Sequence, residues 1–239
     1  MIPAWQKGKV IEVQQASPNT RRYWIELPET ASFDFIPGQF VTVDLPIHEQ
    51  RNKRWRSYSI ASAPNGTNII ELIIVYVNGG AGSSYFFEQV NVGYELTLRG
   101  PQGIFTLPKS LNEKQQFFIC TGTGIAPFRS MIHHIEKNKI PHQDIHLIFG
   151  TRTIEDILYY EEMKTIAASM PRVFYHPILS RTSWEGPTGY VHQIYQNLCK
   201  DRPDAQFMLC GWRNMIDEAK HNLLEMGYAK ESIQIEIYG

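Results

Sequence analysis

The chain of 239 residues is long enough for one large domain or two small ones, and 43% of its residues are hydrophobic, as in ordinary globular proteins. Its 23 basic and 24 acidic residues give a formal net charge of −1, which argues against a general affinity for nucleic acid or acidic membranes. The three cysteines form no CxxC pair and no iron–sulfur quartet, so we expect a reducing environment and no metal centre.

The sequence also argues against export and against membrane insertion. The first ten residues, MIPAWQKGKV, lack the apolar core of a signal peptide. The longest apolar run, IIELIIVYV, has the length of a strand and contains a glutamate, so it is too short to span a bilayer. We therefore expect a cytoplasmic protein.

The first half of the chain is predicted to form closely spaced strands. Short segments rich in β-branched and aromatic residues follow one another from about residue 7 to 108, each bounded by Pro, Gly or Asn. They are KGKVIEVQQ, RYWIELP, QFVTVDLP, RSYSIAS, IIELIIVYV and YELTLRG. This spacing predicts an antiparallel barrel or sandwich, interrupted by one helix at SSYFFEQV.

The strand RSYSIAS carries an unusual face. Alternation places Arg56, Tyr58 and Ile60 on the same side, so a guanidinium and a phenol ring lie together. A flat conjugated cofactor could stack on the ring while its phosphates meet the arginine. Strict alternation turns Ser59 to the other side, unless the strand twists or ends there.

A glycine-rich turn, NGGAGSSYFF at 78–87, leads from this sheet into the predicted helix. Free backbone amides of Gly82, Ser83 and Ser84 at the start of a helix could bind a phosphate. The alternative interpretation is a serine N-cap without a ligand.

The second half changes rhythm at about residue 115. Five strand segments alternate with helical ones, and the strands are QFFIC, IHLIFG, RVFYHPIL, AQFMLCG and IQIEIY. This pattern predicts a parallel sheet with helices on both faces. The segment PKSLNEKQ lies between the halves, so we divide the chain into domains at 1–112 and 113–239.

CTGTGIAPFRSM at 120–131 follows the first of these strands and opens a helix. Gly122 and Gly124 allow backbone amides to approach a phosphate, and Pro127 suits the first turn of a helix. The third glycine of a dinucleotide-binding motif is missing, so a plain strand-to-helix turn stays open on these residues alone.

The ordered set of motifs resembles the ferredoxin–NADP reductase family over essentially the whole chain. In chain order the motifs are PGQF at 37–40, RSYS at 56–59, the G-x-x-S at 80–83, GPQGIF at 100–105, GTGIAP at 122–127, FGTR at 149–152, SRTSWEGPTGYV at 180–191, LCG at 209–211 and IEIYG at 235–239. The resemblance implies an N-terminal FAD-binding β-barrel and a C-terminal α/β domain that binds a nicotinamide nucleotide, without an iron–sulfur domain.

The resemblance also implies roles for residues of the FAD site. Arg56 would hold the FAD pyrophosphate together with the 82–84 turn, Tyr58 would pack on the isoalloxazine, and Ser59 would hydrogen-bond near flavin N5. Val75 and Tyr76 would line the flavin, and Tyr238 could cover its other face.

In the second half, the resemblance places Gly122, Thr123, Gly124 and Pro127 at the nucleotide phosphates. Around the reacting atoms it implies Ser59, Cys210 and Glu236 as catalytic residues, with Gly211 and Met215 beside Cys210. Chemistry would come from the cofactors, because hydride passes from nicotinamide C4 to flavin N5.

Coenzyme preference is predicted from the strand ends. Where NAD-binding domains place an acid, the second strand here ends in Gly150-Thr151-Arg152, and a guanidinium suits a 2′-phosphate. Ser180 and Arg181 match the pair that family members use for that phosphate. We therefore expect NADP(H), with NAD(H) as the alternative.

The implied partner is a one-electron carrier protein such as ferredoxin or flavodoxin. Three alternatives stay open: an NADH-dependent reductase component of an oxygenase, a free-flavin reductase, and a flavin-binding electron-transfer subunit without turnover of its own. The first and the last often carry an iron–sulfur cluster, for which this chain lacks the cysteines.

Overall fold

The structure is a computed structural model that describes residues 3–238, and its first half is a six-stranded antiparallel sheet in the order β4-β3-β6-β1-β2-β5. The strands are β1 (Gln6–Ser17), β2 (Thr20–Glu26), β3 (Phe40–Asp44), β4 (Trp55–Ser59), β5 (Ile69–Val75) and β6 (Glu95–Gln102). One helix, α1 (Ala81–Gln89), follows β5, close to the helix predicted at SSYFFEQV.

The edge strands β4 and β5 bring the sheet almost to closure. A single bridge pairs Ile60 with Leu72, and the Ala61 amide donates to the Glu71 carbonyl at 2.8 Å. The sheet is therefore barrel-like and not closed, and the barrel-type antiparallel fold predicted for the first half is confirmed. The core of this sheet consists of the alternate, inward-facing residues along its strands and of Phe86 from α1. The Phe86 ring packs edge-to-face on Tyr23, with 5.2 Å between the ring centroids.

The second half is a five-stranded parallel sheet in the order β11-β10-β7-β8-β9. Its elements are β7 (Gln115–Thr121), α2 (Ala126–Asn138), β8 (Ile145–Thr151), α3 (Tyr160–Ser169), β9 (Val173–Leu179), α4 (Val191–Leu198), β10 (Ala205–Trp212), α5 (Arg213–Glu225) and β11 (Ile233–Tyr238). Helices α2 and α3 cover one face and α4 and α5 the other, so the doubly wound sheet predicted from the alternation is confirmed.

The two halves share one hydrophobic cluster. The cluster under α2 and α3 continues into the first half through Ala61, Ile73 and Phe105, all at most 5% exposed. A shared apolar core holds the two sheets in contact, which places the ends of β4 and β5 beside the carboxyl ends of β7 and β10.

Within residues 3–238, no helix combines the length and apolar character needed to cross a membrane. The same residues contain no group of three or more His, Cys, Asp or Glu side chains arranged to hold a metal ion. All three cysteines are buried and free.

Candidate active site between the two sheets

The arginine of β4 lies over the start of α1, as the sequence predicted. Arg56 donates from Nη1 to the carbonyls of Lys53 (3.0 Å) and Trp55 (2.8 Å), which fixes its guanidinium beside the strand. Its aliphatic stem crosses Gly82 so closely that a Cβ there would lie 3.0 Å from Arg56 Cγ. The guanidinium and the amides at the start of α1 thus lie together, the arrangement that suits a diphosphate.

The helix start differs from the prediction in two details. The N-cap of α1 is Gly80, with no side-chain cap, and the Ser83 hydroxyl donates to the Gly80 carbonyl at 3.0 Å, so no serine caps this helix. The Ser84 amide donates to the same carbonyl at 2.9 Å. Its N–H is therefore used within the helix, and the amides available to a ligand are those of Gly82 and Ser83 with Ala81 before them.

The ring of Tyr58 is half-buried and meets Phe86 edge-on at 5.3 Å. Burial raises the pKa of its phenol well above the usual value, so the ring stays neutral. Phe86 holds the ring from the core side, which fixes the plane on which a flat cofactor would stack.

β4 ends at Ser59, as the alternation argument required, and there the chain meets the last strand of the second half. Ser59 Oγ donates to Glu236 Oε2 at 2.9 Å, although the two residues are 177 apart in the sequence. Cys210 Sγ lies 3.9 Å from the same oxygen, because Cys210 and Glu236 are register partners on β10 and β11. The three predicted catalytic side chains are therefore in one cluster.

Burial controls the protonation of this cluster. It raises the pKa of Glu236 to about 7, although hydrogen bonds from Ser59 and Cys210 pull in the opposite direction. It also raises the pKa of the Cys210 thiol well above its usual value. At neutral pH the thiol is therefore protonated, while the carboxyl is close to its titration midpoint and can both accept and donate a proton.

Tyr238 ends β11 next to the cluster. Its ring packs on the shared hydrophobic cluster, and burial raises the pKa of its phenol well above the usual value. The hydroxyl is buried close to the side chains of Ser59 and Cys210, so Tyr238 belongs to the same polar cluster.

A cavity of about 630 Å³ is lined by both halves of the chain, and Ser59, Cys210 and Glu236 are not among its lining residues. The predicted residues that line it are Val75 and Tyr76 from the first half and Gly122, Thr123, Arg152, Ser180 and Met215 from the second. Sites formed at the carboxyl ends of parallel strands are the usual place for a nucleotide in such sheets.

Three other residues predicted for nucleotide binding, Gly124, Pro127 and Gly211, are buried and do not line the cavity. A Cβ on Gly124 would lie 2.4 Å from the Cys210 carbonyl oxygen, and one on Gly211 would lie 2.4 Å from Thr121 Oγ1. Pro127 is in the first turn of α2, as predicted, but it is buried. Gly124 therefore packs the turn against β10, and Gly211 packs β10 against the end of β7.

The candidate 2′-phosphate residues come together where β8 and β9 end. The Ser180 and Arg181 amides donate to the carbonyls of Thr151 and Arg152, each at 3.0 Å, so the two strand ends run side by side. Arg152 and Arg181 are exposed, and neither guanidinium has an ion-pair partner in the part of the chain described. Two uncompensated cations at one strand edge suit an added phosphate.

Trp212 and Thr121 are among the residues of this cavity that sequence reasoning missed. Trp212 lines it and is 49% exposed, and its amide donates to Thr121 Oγ1 at 3.3 Å. Thr121 precedes Gly122 and Trp212 follows Gly211, so each of the two residues is adjacent to a motif identified in the sequence. A large aromatic side chain directly after a buried strand was the available signal.

Comparisons with known proteins agree with this geometry. The model of an oxidoreductase FAD-binding domain matches residues 7–107, and that of an oxidoreductase NAD-binding domain matches residues 118–221. The chain is 32% identical over 242 residues to ferredoxin–NADP reductase B of Sorangium cellulosum, covering 97% of each sequence. The chain belongs to the ferredoxin–NADP reductase family. It is accordingly an NAD(P)H-dependent oxidoreductase that uses FAD.

Some relatives are longer than this chain. The chain is 32% identical over 199 residues to the anthranilate 1,2-dioxygenase electron transfer component of Acinetobacter baylyi, covering 82% of this chain and 56% of that protein. A crystal structure of a ferredoxin NADP+ reductase from Neisseria gonorrhoeae with bound FAD and NADP superposes with a TM-score of 0.81, at 23% identity and 98% coverage of both chains. That similarity shows that the fold is shared.

The residues present fit FAD. Arg56 packs on a glycine at a helix start, and a neutral aromatic ring faces the same side of β4. These two features supply groups that a flavin dinucleotide needs, namely a contact for the diphosphate and a stacking surface.

Proposed function

We propose that this family member passes electrons between NADPH and a one-electron carrier protein such as ferredoxin or flavodoxin. The observation that supports it best is the 2.9 Å bond from Ser59 to Glu236, which joins the end of the flavin-side strand to the nicotinamide-side strand. Hydride transfer requires reacting atoms about 3–3.5 Å apart, and only side chains from both halves can enclose such a pair.

In this proposal, the first half binds the dinucleotide through four groups. Arg56 and the amides of Gly82 and Ser83 hold the diphosphate, and Tyr58 stacks on the ring system. FAD held by these groups would supply the chemistry that accepts hydride and releases electrons singly.

Ser59, Cys210 and Glu236 surround the reacting atoms. Cys210 is a neutral thiol that fills space and excludes water beside the nicotinamide. Glu236, with its pKa raised to about 7, holds or releases a proton at its Oε2 atom, and Ser59 orients that atom. Tyr238 would cover the flavin until nicotinamide displaces it.

NADPH is the coenzyme that the strand ends support. Arg152 and Ser180 line the cavity and Arg181 adjoins them through the backbone, so a 2′-phosphate would meet two guanidinium groups and a hydroxyl. NADH would leave these groups without a phosphate partner, which makes it the weaker coenzyme.

The domain division at 1–112 and 113–239 is part of this proposal. It is supported by the change from an antiparallel to a parallel sheet between β6 and β7, and by the gap between the two family matches at 107 and 118.

Two features bear on the partner. The relative named ferredoxin–NADP reductase B matches this chain over 97% of both lengths, which favours a carrier protein as acceptor. The similarity to the anthranilate 1,2-dioxygenase component keeps a reductase component of an oxygenase as the second candidate.

The purified holoenzyme tests the proposal. It should be yellow, be reduced by NADPH under anaerobic conditions, and pass electrons to added ferredoxin or flavodoxin, with a higher kcat/KM for NADPH than for NADH. A free-flavin reductase would release its flavin on gel filtration, and a subunit without turnover would keep FAD but fail to oxidise NADPH. Electron transfer to an oxygenase and to neither carrier would favour the second candidate.

A further inference from the structure

A second contact between the halves consists of buried charge. Glu71 of β5 is 2% exposed and Arg129 of α2 is 9% exposed, and within residues 3–238 they are the two buried members of the Asp, Glu, Lys and Arg classes. They pair with each other, Arg129 Nη1 to Glu71 Oε2, at 2.9 Å. The pair therefore joins a strand of the first half to a helix of the second half.

The carboxylate of Glu71 is fully occupied. Its Oε1 accepts from Arg22 Nε at 2.6 Å and from the Tyr159 hydroxyl at 2.7 Å, while Oε2 takes the bond from Arg129. Its backbone is also held, because the Glu71 amide donates to Ser62 Oγ at 3.0 Å. A buried carboxylate with this many donors has one possible position.

Arg129 is held with equal completeness. Its Nε and Nη2 form a fork on Glu162 of α3, at 2.6 and 3.1 Å, and its Nη1 also donates to the Ala61 carbonyl at 2.8 Å. Burial would raise the pKa of Glu162, but hydrogen bonds from His133 and Arg129 outweigh it and lower that pKa to about 2. Glu162 is thus ionised across the working pH range.

Tyr159 is the residue between these groups. Its ring centroid lies 4.8 Å from the Arg22 guanidinium and 4.4 Å from that of Arg129, so two cations contact the ring. Its backbone has φ +57°, the left-handed region that a tyrosine seldom adopts. Strain of this kind persists where the surroundings fix a residue for a purpose.

Short stretches of backbone connect this network to both halves of the reacting site. Ala61, whose carbonyl Arg129 holds, is two residues past Ser59, and Glu71 is on the strand that ends at Val75 in the cavity wall. Arg129 is in the first turns of α2, which begins directly after the Gly122–Ile125 turn. A shift of Arg129 would therefore move the nucleotide turn relative to the strand end at Ser59.

We propose that the Glu71–Arg129 pair, with Tyr159 and Glu162, is a positioning element that sets the distance between the nicotinamide and the flavin. A buried ion network is a poor source of stability, because desolvation offsets its attraction, whereas its directional bonds fix one geometry. The inference rests on the proposed hydride transfer across this contact. None of the four side chains touches the reacting atoms, so they are positioning residues.

Anaerobic stopped-flow reduction of the holoenzyme by NADPH tests the inference. Tyr159→Phe removes one bond to Glu71 and keeps the ring between the guanidinium groups, and Arg129→Lys keeps the charge and loses the fork. We expect the limiting rate of flavin reduction to fall about tenfold or more in Arg129→Lys and severalfold in Tyr159→Phe, since small misplacement slows hydride transfer steeply. FAD content and the dissociation constant for NADPH should change less than threefold.

The control is Arg172→Lys, which alters an exposed pair with Asp144 at 2.7 Å, at the other end of the sheet. Arg172→Lys should leave both the limiting rate of flavin reduction and the dissociation constant for NADPH unchanged. Variants that lose thermal stability but keep the wild-type limiting rate would overturn the inference and make the network merely structural. If Arg129→Lys fails to fold, an unchanged rate in Tyr159→Phe is sufficient to reject it. Wild-type flavin that NADPH does not reduce would instead reject the proposed function.

Discussion

At Gly82 the backbone of α1 lies under the side chain of Arg56, whereas at Gly124 the backbone of the 122–125 turn lies against the backbone of β10. Both glycines belong to turns that lead from a strand to a helix, and in the sequence both suggest a phosphate site. The first glycine leaves room for a flexible side chain and its ligand, and the second permits contact between two rigid segments. Similar motifs thus serve packing in the second half and, in the proposed function, cofactor binding in the first.

Alanine at the two glycines separates these roles, and Gly124→Ala should have the largest effect. The new Cβ would meet the Cys210 carbonyl oxygen at 2.4 Å and Gly211 Cα at 2.9 Å, both backbone atoms that cannot rotate away. We expect a loss of about 3 kcal/mol or more, and hence a melting temperature lower by about 6–12 °C, measured on the holoenzyme by circular dichroism.

Gly82→Ala is the matched control, because its Cβ would meet only Arg56 side-chain atoms, at 3.0–3.4 Å. It should keep the melting temperature of the FAD-free protein and weaken FAD retention. Equal losses of stability in the two variants would contradict the distinction between a binding glycine and a packing glycine.

Arg56→Ala tests the binding side of the comparison. Loss of a charged contact to a diphosphate is worth about 1.5–3 kcal/mol, or roughly ten- to a hundredfold in FAD affinity. We expect a colourless or partly yellow protein whose second half keeps its fold, measured by the flavin-to-protein absorbance ratio after dialysis.

Arg51→Ala provides the control for charge alone, since Arg51 is nearby but its side chain is 64% exposed and 3.7 Å from Asp44. It should keep the cofactor. An Arg56→Ala protein that stays fully yellow would show that Arg56 does not hold the diphosphate.

Local patterns were sufficient to predict most of the architecture. The β/α alternation predicted the doubly wound sheet, and the alternation in β4 predicted that the strand would have to end near Ser59 for that residue to reach the site. The sheet closure could not be read from the sequence, because it depends on how far β4 and β5 approach across the barrel, where a single bridge forms.

The candidate site was also predictable from the sequence only in part. Ser59, Cys210 and Glu236 were named from motifs, and the structure adds that one carboxylate oxygen joins them. The network around Glu71 had no sequence signal, since a glutamate within IIELIIVYV looks like an outward residue of a strand. Its partners come from β2, α2 and α3, and only tertiary packing brings them together.

Arg181→Ala extends the comparison to the coenzyme and should have a smaller effect, because the side chain is exposed. We expect the KM for NADPH to rise about tenfold, with little change for NADH, since the lost partner is the 2′-phosphate. Steady-state kinetics with both coenzymes measure this, and equal increases for the two would refute the assignment.

The smallest expected effect is that of pH on the rate of flavin reduction, through the Glu236 carboxyl that links the two halves. Glu236 is neutral below about pH 7 and ionised above it, because burial raises its pKa to about 7. The ionised form would stabilise the positive charge that develops on nicotinamide as hydride leaves. The rate of flavin reduction by NADPH should therefore rise severalfold from pH 6 to pH 8, and Glu236→Gln should remove this rise.

Ser59→Ala gives the sharper version of that test, because it keeps the titrating group. The hydrogen bond from Ser59 favours the ionised carboxylate and lowers its pKa, so the apparent pKa of the rate profile should move upward without it. A profile that moves downward, or one with the same midpoint in Glu236→Gln as in the wild type, would assign the titration to another group and leave Glu236 with a packing role alone.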